Sequence, residues 1–194
     1  MNPAAPGKEA QGIPPRAAPA DYQSQAKAGA VTVAAEFLGH SIPTAQGTLT
    51  TEDYVAVEAA LFGAPGARLM LAASDFSLRV NGRKMPLPAA HFGMVFHSLK
   101  DPEWGPPASE SAKSKTSVGG AGGGSEPPPA PPKMPIALRR AMEQRVQKSA
   151  LPEGERPLPQ AGLIFFSYRG KADGIHSVEL TYNTKDGKAT LALQ

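Results

Sequence analysis

Cysteine is absent from all 194 residues. Its absence excludes disulfides, thiolate metal sites and a cysteine nucleophile. Aromatic residues are scarce, at 6%. No apolar run approaches the ~18 residues of a membrane span. The first residues hold neither a basic n-region nor an apolar h-region, so they do not read as a secretory signal. The expected placement is periplasmic or secreted if a leader was removed before Met1, and cytoplasmic otherwise. Charge is nearly balanced, at +3 with a pI near 9.2. Residues 105–159 carry eight basic and five acidic side chains, whereas 31–104 carry five basic and seven acidic. The basic excess therefore sits in segments that read as flexible, which argues against nucleic acid as a partner.

Glycine and proline are plentiful instead, at 20 and 21 residues. Their placement divides the chain. Residues 1–30 hold five prolines, many alanines and almost no large apolar group, and read as a disordered tail. Residues 105–159 read as a Gly/Pro-rich insertion, with a glycine run at 119–124 and a proline run at 127–132. Within the insertion, Pro135 suits a first helical position. Leu138, Met142 and Val146 then recur at i, i+4 and i+8, and Pro152 ends the pattern, so a helix is predicted near 136–149.

Elsewhere the apolar residues alternate, which marks half-buried strands. Val31, Val33, Ala35 and Phe37 share one face. Val55, Val57, Ala59 and Leu61 repeat the pattern, as do Leu69 and Leu71, then Phe76, Leu78 and Val80. Asn81-Gly82 follows directly and predicts a hairpin turn with positive φ at both positions. A further strand is predicted over His91–His97 from Phe92, Met94 and Phe96. After Pro159, Leu163 to Tyr168 is apolar on both faces, as a central strand requires. Val178, Leu180 and Tyr182 alternate again, and Leu191 and Leu193 close the chain.

These patterns predict an all-β, immunoglobulin-like antiparallel β-sandwich of about seven to nine strands, with a long disordered insertion carrying one short helix. Doubling a loop costs only about 0.6 kcal/mol. Leaving Leu163, Phe165, Val178 and Leu180 in water costs roughly 1.5–3 kcal/mol each. Burial wins, so 31–104 and 160–194 are expected to form one discontinuous domain.

The order of four segments resembles a known group. Asp53-Tyr54-Val55-Ala56-Val57-Glu58 precedes Asp75-Phe76-Ser77-Leu78-Arg79-Val80. Ala161-Gly162-Leu163-Ile164-Phe165-Phe166 and Ser177-Val178-Glu179-Leu180-Thr181-Tyr182 come much later. This arrangement resembles the telokin-like, immunoglobulin-like domains of unknown function in bacterial extracytoplasmic proteins. The resemblance covers residues 31–100 and 160–194 and implies a binding or assembly role. It carries over no catalytic residues.

The chemistry-bearing residues point the same way. His40, His91, His97 and His176 lack metal-ligand spacing, since His91 and His97 at the ends of one strand would stand about 20 Å apart. Gly39-His40-Ser41-Ile42-Pro43 is similar to a nucleophile elbow but lacks its last glycine and its following helix. The glycine run lacks the Gly-Lys-Ser/Thr of a phosphate loop. No motif implies a cofactor. The remaining candidates lie on the predicted helix: Leu138, Arg139, Arg140, Met142 and Arg145 form a possible surface for a protein partner. The expected function is a non-catalytic binding or assembly module. The alternatives are a hydrolase-type enzyme completed by the insertion, using Ser41 and a histidine, and a cytoplasmic scaffold recognised through its Pro-rich tract. A small-molecule ligand is not specified by any motif.

Overall fold

The computed structural model describes residues 10–105 and 133–194. Thirteen strands and one α-helix occur among them. The first half holds β1 (Ser24–Ala28), β2 (Val31–Gly39), β3 (Ser41–Thr44), β4 (Gly47–Thr51) and β5 (Tyr54–Phe62). It continues with β6 (Arg68–Leu71), β7 (Phe76–Val80), β8 (Leu87–Ala90) and β9 (Leu99–Lys100). The second half holds α1 (Ile136–Ser149), β10 (Gly154–Pro157), β11 (Gln160–Ser167), β12 (Val178–Thr184) and β13 (Gly187–Ala192). The class is the expected one, a largely antiparallel, β-sandwich-like fold. The strand number exceeds the expected range because β1, β3, β4, β9 and β10 carry no alternation of large apolar residues.

The main sheet runs β1-β2-β5-β11-β8-β7-β12-β13. Strand β8 changes partner halfway. Leu87 and Pro88 pair with β7, whereas Ala89 and Ala90 pair with β11. Such a strand makes the corner of a sandwich. One layer is then β1-β2-β5-β11 and the other is β7-β12-β13. Their outer edges meet again, since Gln23 donates to the carbonyl of Leu193.

The alternating residues fill the space between the layers. Val33, Ala35, Val55, Val57, Ala59, Leu61, Ile164 and Phe166 face Phe76, Leu78, Val80, Val178, Leu180, Tyr182, Leu191 and Leu193 in one cluster. Strand β11 lies between β5 and β8, and β5 lies between β2 and β11, so strands from both halves of the chain pair at the centre. Both strands are buried on two faces because the outside of this layer is also covered. Tyr54, Ala56, Leu163 and Phe165 pack there against Ile42, Leu49, Val95, Met142 and Val146. The covering pieces are α1, the β3–β4 hairpin and a 3-10 turn.

Three expectations change. Residues 10–30 are not a disordered tail. The chain from Ala10 to Tyr22 lies across the outer face, where Ile13 N–H donates to the Ala161 carbonyl at 2.9 Å and Gly12 N–H to the Ala150 carbonyl at 3.0 Å. Strand β1 then pairs with β2 over five residues. Few apolar groups are needed, because backbone hydrogen bonds, a buried Tyr22 against Phe62 and an arginine ion pair hold it. The expected tail residues 1–9 and the flexible part of the insertion at 106–132 lie outside the described residues.

The segment 91–97 is not a strand either. Phe92–Ser98 is a 3-10 helix whose N-cap, His91, accepts the Gly93 N–H at 3.1 Å through Nδ1. Its buried residue is Val95, whereas Met94 is 56% exposed. The period of three, with Phe92 above Val95, decides the packing, not the alternation. Finally, Asn81 and Gly82 adopt φ of 53° and 64° as expected, and Arg83 N–H closes the turn on the Val80 carbonyl at 3.3 Å, but strand pairing between β7 and β8 resumes only at Leu87.

The exit from α1 depends on one glycine. Ala150 bridges Leu163 in parallel, and Leu151 N–H donates to the Leu163 carbonyl at 2.9 Å. A Cβ on Gly162 would lie 2.3 Å from the Leu151 Cα. Only glycine lets the two backbones approach so closely.

Candidate functional site

Helix α1 turns most of its candidate surface inward. Met142 and Val146 are fully buried, and Leu138 packs against the same cluster. Arg145 is committed within the fold. Its Nε donates to Thr44 Oγ1 at 2.9 Å and its Nη2 to the Gly47 carbonyl at 3.0 Å. Its Nη1 stands 3.6 Å from Asp101. The arginine therefore ties α1 to the β3–β4 hairpin. Arg139 and Arg140 do face water, with Arg139 paired to Glu143 at 3.6 Å one turn on. The five residues thus do not form one surface: two are apolar anchors, one is a clamp and two are exposed charges.

A slot of about 280 Å³ opens beside the C-terminal end of this helix. Its apolar lining comes from Leu163 and Phe165 of β11, Ala150 and Leu151 after α1, Ala90 and Phe92, and Ala10 of the N-terminal segment. Its polar lining comes from His91, Glu153 and Arg156. Glu153 Oε1 accepts the Ala73 N–H at 3.2 Å, and Arg156 Nε donates to the Glu153 carbonyl at 3.2 Å. The ring of His91 stacks beside Phe92 with centroids 4.1 Å apart. Burial, and then the charge of Glu153, push the nearby Asp75 carboxyl above the usual carboxylate range. A slot lined by apolar and charged side chains together suits a small amphipathic body.

A second polar group gathers at the corner where β2 meets β3. Asp53 lies 3.3 Å from both His97 Nε2 and Arg169 Nε. Glu52 pairs with Lys100. Thr51 and Ser98 share a 2.6 Å hydroxyl contact. Of these, Thr51, Glu52, Asp53, Lys100 and Arg169 border, with His40, Gly170 and Lys171, an open cleft of about 590 Å³. Both ring nitrogens of His40 face backbone carbonyls, not the Ser41 hydroxyl beside it. Among the described residues no serine or threonine hydroxyl is hydrogen-bonded to a histidine ring, and no three metal-ligating side chains converge. His91 and His97 sit at the two ends of a 3-10 turn, so the strand spacing used to separate them does not apply.

Sequence reasoning missed the slot and the N-terminal ion pair. The slot joins Ala10, residues 73, 90–92, 150–156 and 163–165, which no local pattern links. The ion pair left one visible trace, in Glu36 and Glu58 on the face of two apolar strands that points away from the inner core. No protein-family model matches the chain, and no curated protein or solved structure matches it.

Proposed function

We propose that this protein is a non-catalytic binding module, of the telokin-like, immunoglobulin-like kind its strand order resembles, acting outside the cytoplasm. The slot between β11 and the segment after α1 carries the reading. Its lining joins Leu163, Phe165 and Leu151 to the charged Glu153 and Arg156, and one side of it is β11, a two-sided strand at the centre of the sheet. The ligand that fits is a small molecule with an apolar body and a polar head, the body against Phe165 and Leu163 and the head near Arg156 and His91.

The test is a fluorescence titration with anilinonaphthalene sulfonate, an apolar dye with an anionic head. The protein is expected to enhance its emission saturably, with one site. Ala90→Leu fills the slot from β8 and is expected to abolish the enhancement while leaving the thermal melt in place. Equal enhancement by the folded variant and the parent overturns the reading.

A further inference from the structure

His40 stands at the corner between β2 and β3, with its side chain reaching two other segments. Nδ1 lies 2.7 Å from the Tyr54 carbonyl oxygen, at the start of β5. Nε2 lies 2.8 Å from the Gly170 carbonyl oxygen, in the loop after β11. Both partners are carbonyls, which only accept. A neutral imidazole has one N–H and one lone pair, so it satisfies one carbonyl and turns its lone pair on the other. The imidazolium has two N–H groups and satisfies both. Hydrogen bonds from a charged donor are also the stronger kind.

We propose that His40 is a proton-operated clasp that, when charged, ties the loop after β11 to the sandwich and, when neutral, releases it. The side that yields is Gly170. Tyr54 is held in β5 by its ladder partner Ser167. Arg169 and Gly170 lie beyond the end of β11 and have no ladder partner, and the Arg169 side chain is 79% exposed. Residues 169–171 form one wall of the open cleft opposite Thr50, Glu52 and Asp53. Protons on His40 therefore set the shape of that cleft. The clasp is closed when the ring carries both protons and open when it carries one.

The charged groups that line the same cleft as the ring are Glu52 and Asp53 of the β4–β5 turn, Lys100 of β9, and Arg169 and Lys171 of the loop itself. The Tyr168 ring lies 6.2 Å from the His40 ring, and the Arg83 guanidinium lies 5.9 Å over that tyrosine ring. His97 is the second imidazole nearby, and it answers to Asp53. A test must separate the two histidines.

Long-range 1H–15N spectra of the labelled full chain read the protonation of each ring nitrogen directly. The closed clasp is read as two protonated His40 nitrogens, expected at the acid end of a pH series, and the open one as a single protonated nitrogen, expected at its alkaline end. The Tyr168 N–H donates to the Asp53 carbonyl and the Thr51 N–H to the His40 carbonyl. Their amide exchange, corrected for intrinsic base catalysis, is expected to rise about tenfold or more across the same interval. His97→Gln keeps this step, and His40→Gln removes it, with fast exchange at both ends. A single neutral tautomer at the acid end, a ring that never changes state over the range, or a step that survives His40→Gln overturns the proposal. The ring spectra need no variant, so they decide even if His40→Gln fails to fold.

Discussion

Glu36 and Glu58 stand directly opposite each other across β2 and β5. Like charges in that position repel, and the Glu58 side chain is only 9% exposed. Arg16 resolves the conflict, since its guanidinium pairs with Glu36 and lies 3.0 Å from Glu58. It also lies 4.4 Å over the Tyr22 ring, and its backbone N–H donates to the Tyr22 hydroxyl at 3.1 Å. Burial works against the charge on Arg16, but the Glu36 hydrogen bond and the charges of Glu58 and Glu36 outweigh it and raise its pKa. Arg16→Met is expected to cost about 1–3 kcal/mol, because a buried carboxylate is left without its partner. Adding Glu58→Gln should restore a large part of the loss in urea melts. Asp75 has the opposite sign. A carboxyl whose pKa rises on folding opposes folding once it is ionised, and that penalty is absent below its ordinary value of 3.8. Asp75→Asn is therefore expected to raise the melting temperature at neutral pH. The gain should shrink as the pH falls through the raised folded value and vanish below about 3.8.

Among the elements, α1 shows how a short helix is kept. Fourteen residues are marginal alone, so its stability comes from Met142, Val146 and the Arg145 clamp. Met142→Ala is expected to cost about 2–5 kcal/mol through the lost contacts and the cavity left behind. Arg139→Glu with Arg140→Glu should cost about 0.5 kcal/mol or less, since both side chains are exposed and only the pair with Glu143 is reversed. Thermal melts of the two variants separate the inward face from the outward one. A silent Met142→Ala would mean that α1 does not hold the outer face of β11. The 3-10 turn beside it carries the opposite lesson. Phe92, Met94 and Phe96 alternate as a strand would, yet the segment has no neighbour to pair with and coils to bury Val95.

At the scale of the molecule, the central ladder joins β5 to β11 over eight residue pairs. The two strands come from opposite sides of the Gly/Pro-rich segment. A chain ending at residue 105 lacks β11, so β5 loses its partner on one side and both core clusters lose Ile164, Phe166, Leu163 and Phe165. Such a fragment is expected to show no cooperative thermal transition. A sharp melt from it would show that the first half folds alone. The layers also share β8, which pairs with each of them over two residues, so loosening one layer loosens the other.

What the amino-acid sequence determined by itself was the inner core. Period-two alternation in 31–37, 55–61, 76–80 and 178–182 names the residues that meet between the layers, because side-chain direction along a strand follows from the backbone alone. The two-sided apolar run at 163–168 likewise names the central strand, and the i, i+4, i+8 spacing names the inward face of α1. Only the tertiary structure decided what covers the outer face. The N-terminal segment carries too few apolar residues to be read as ordered, and it is held by carbonyls of β11 and of the α1 exit and by two carboxylates distant in sequence. The slot and the His40 clasp are of the same kind. Each is made where backbone carbonyls and side chains from separated segments converge, and convergence in space leaves no period in the chain.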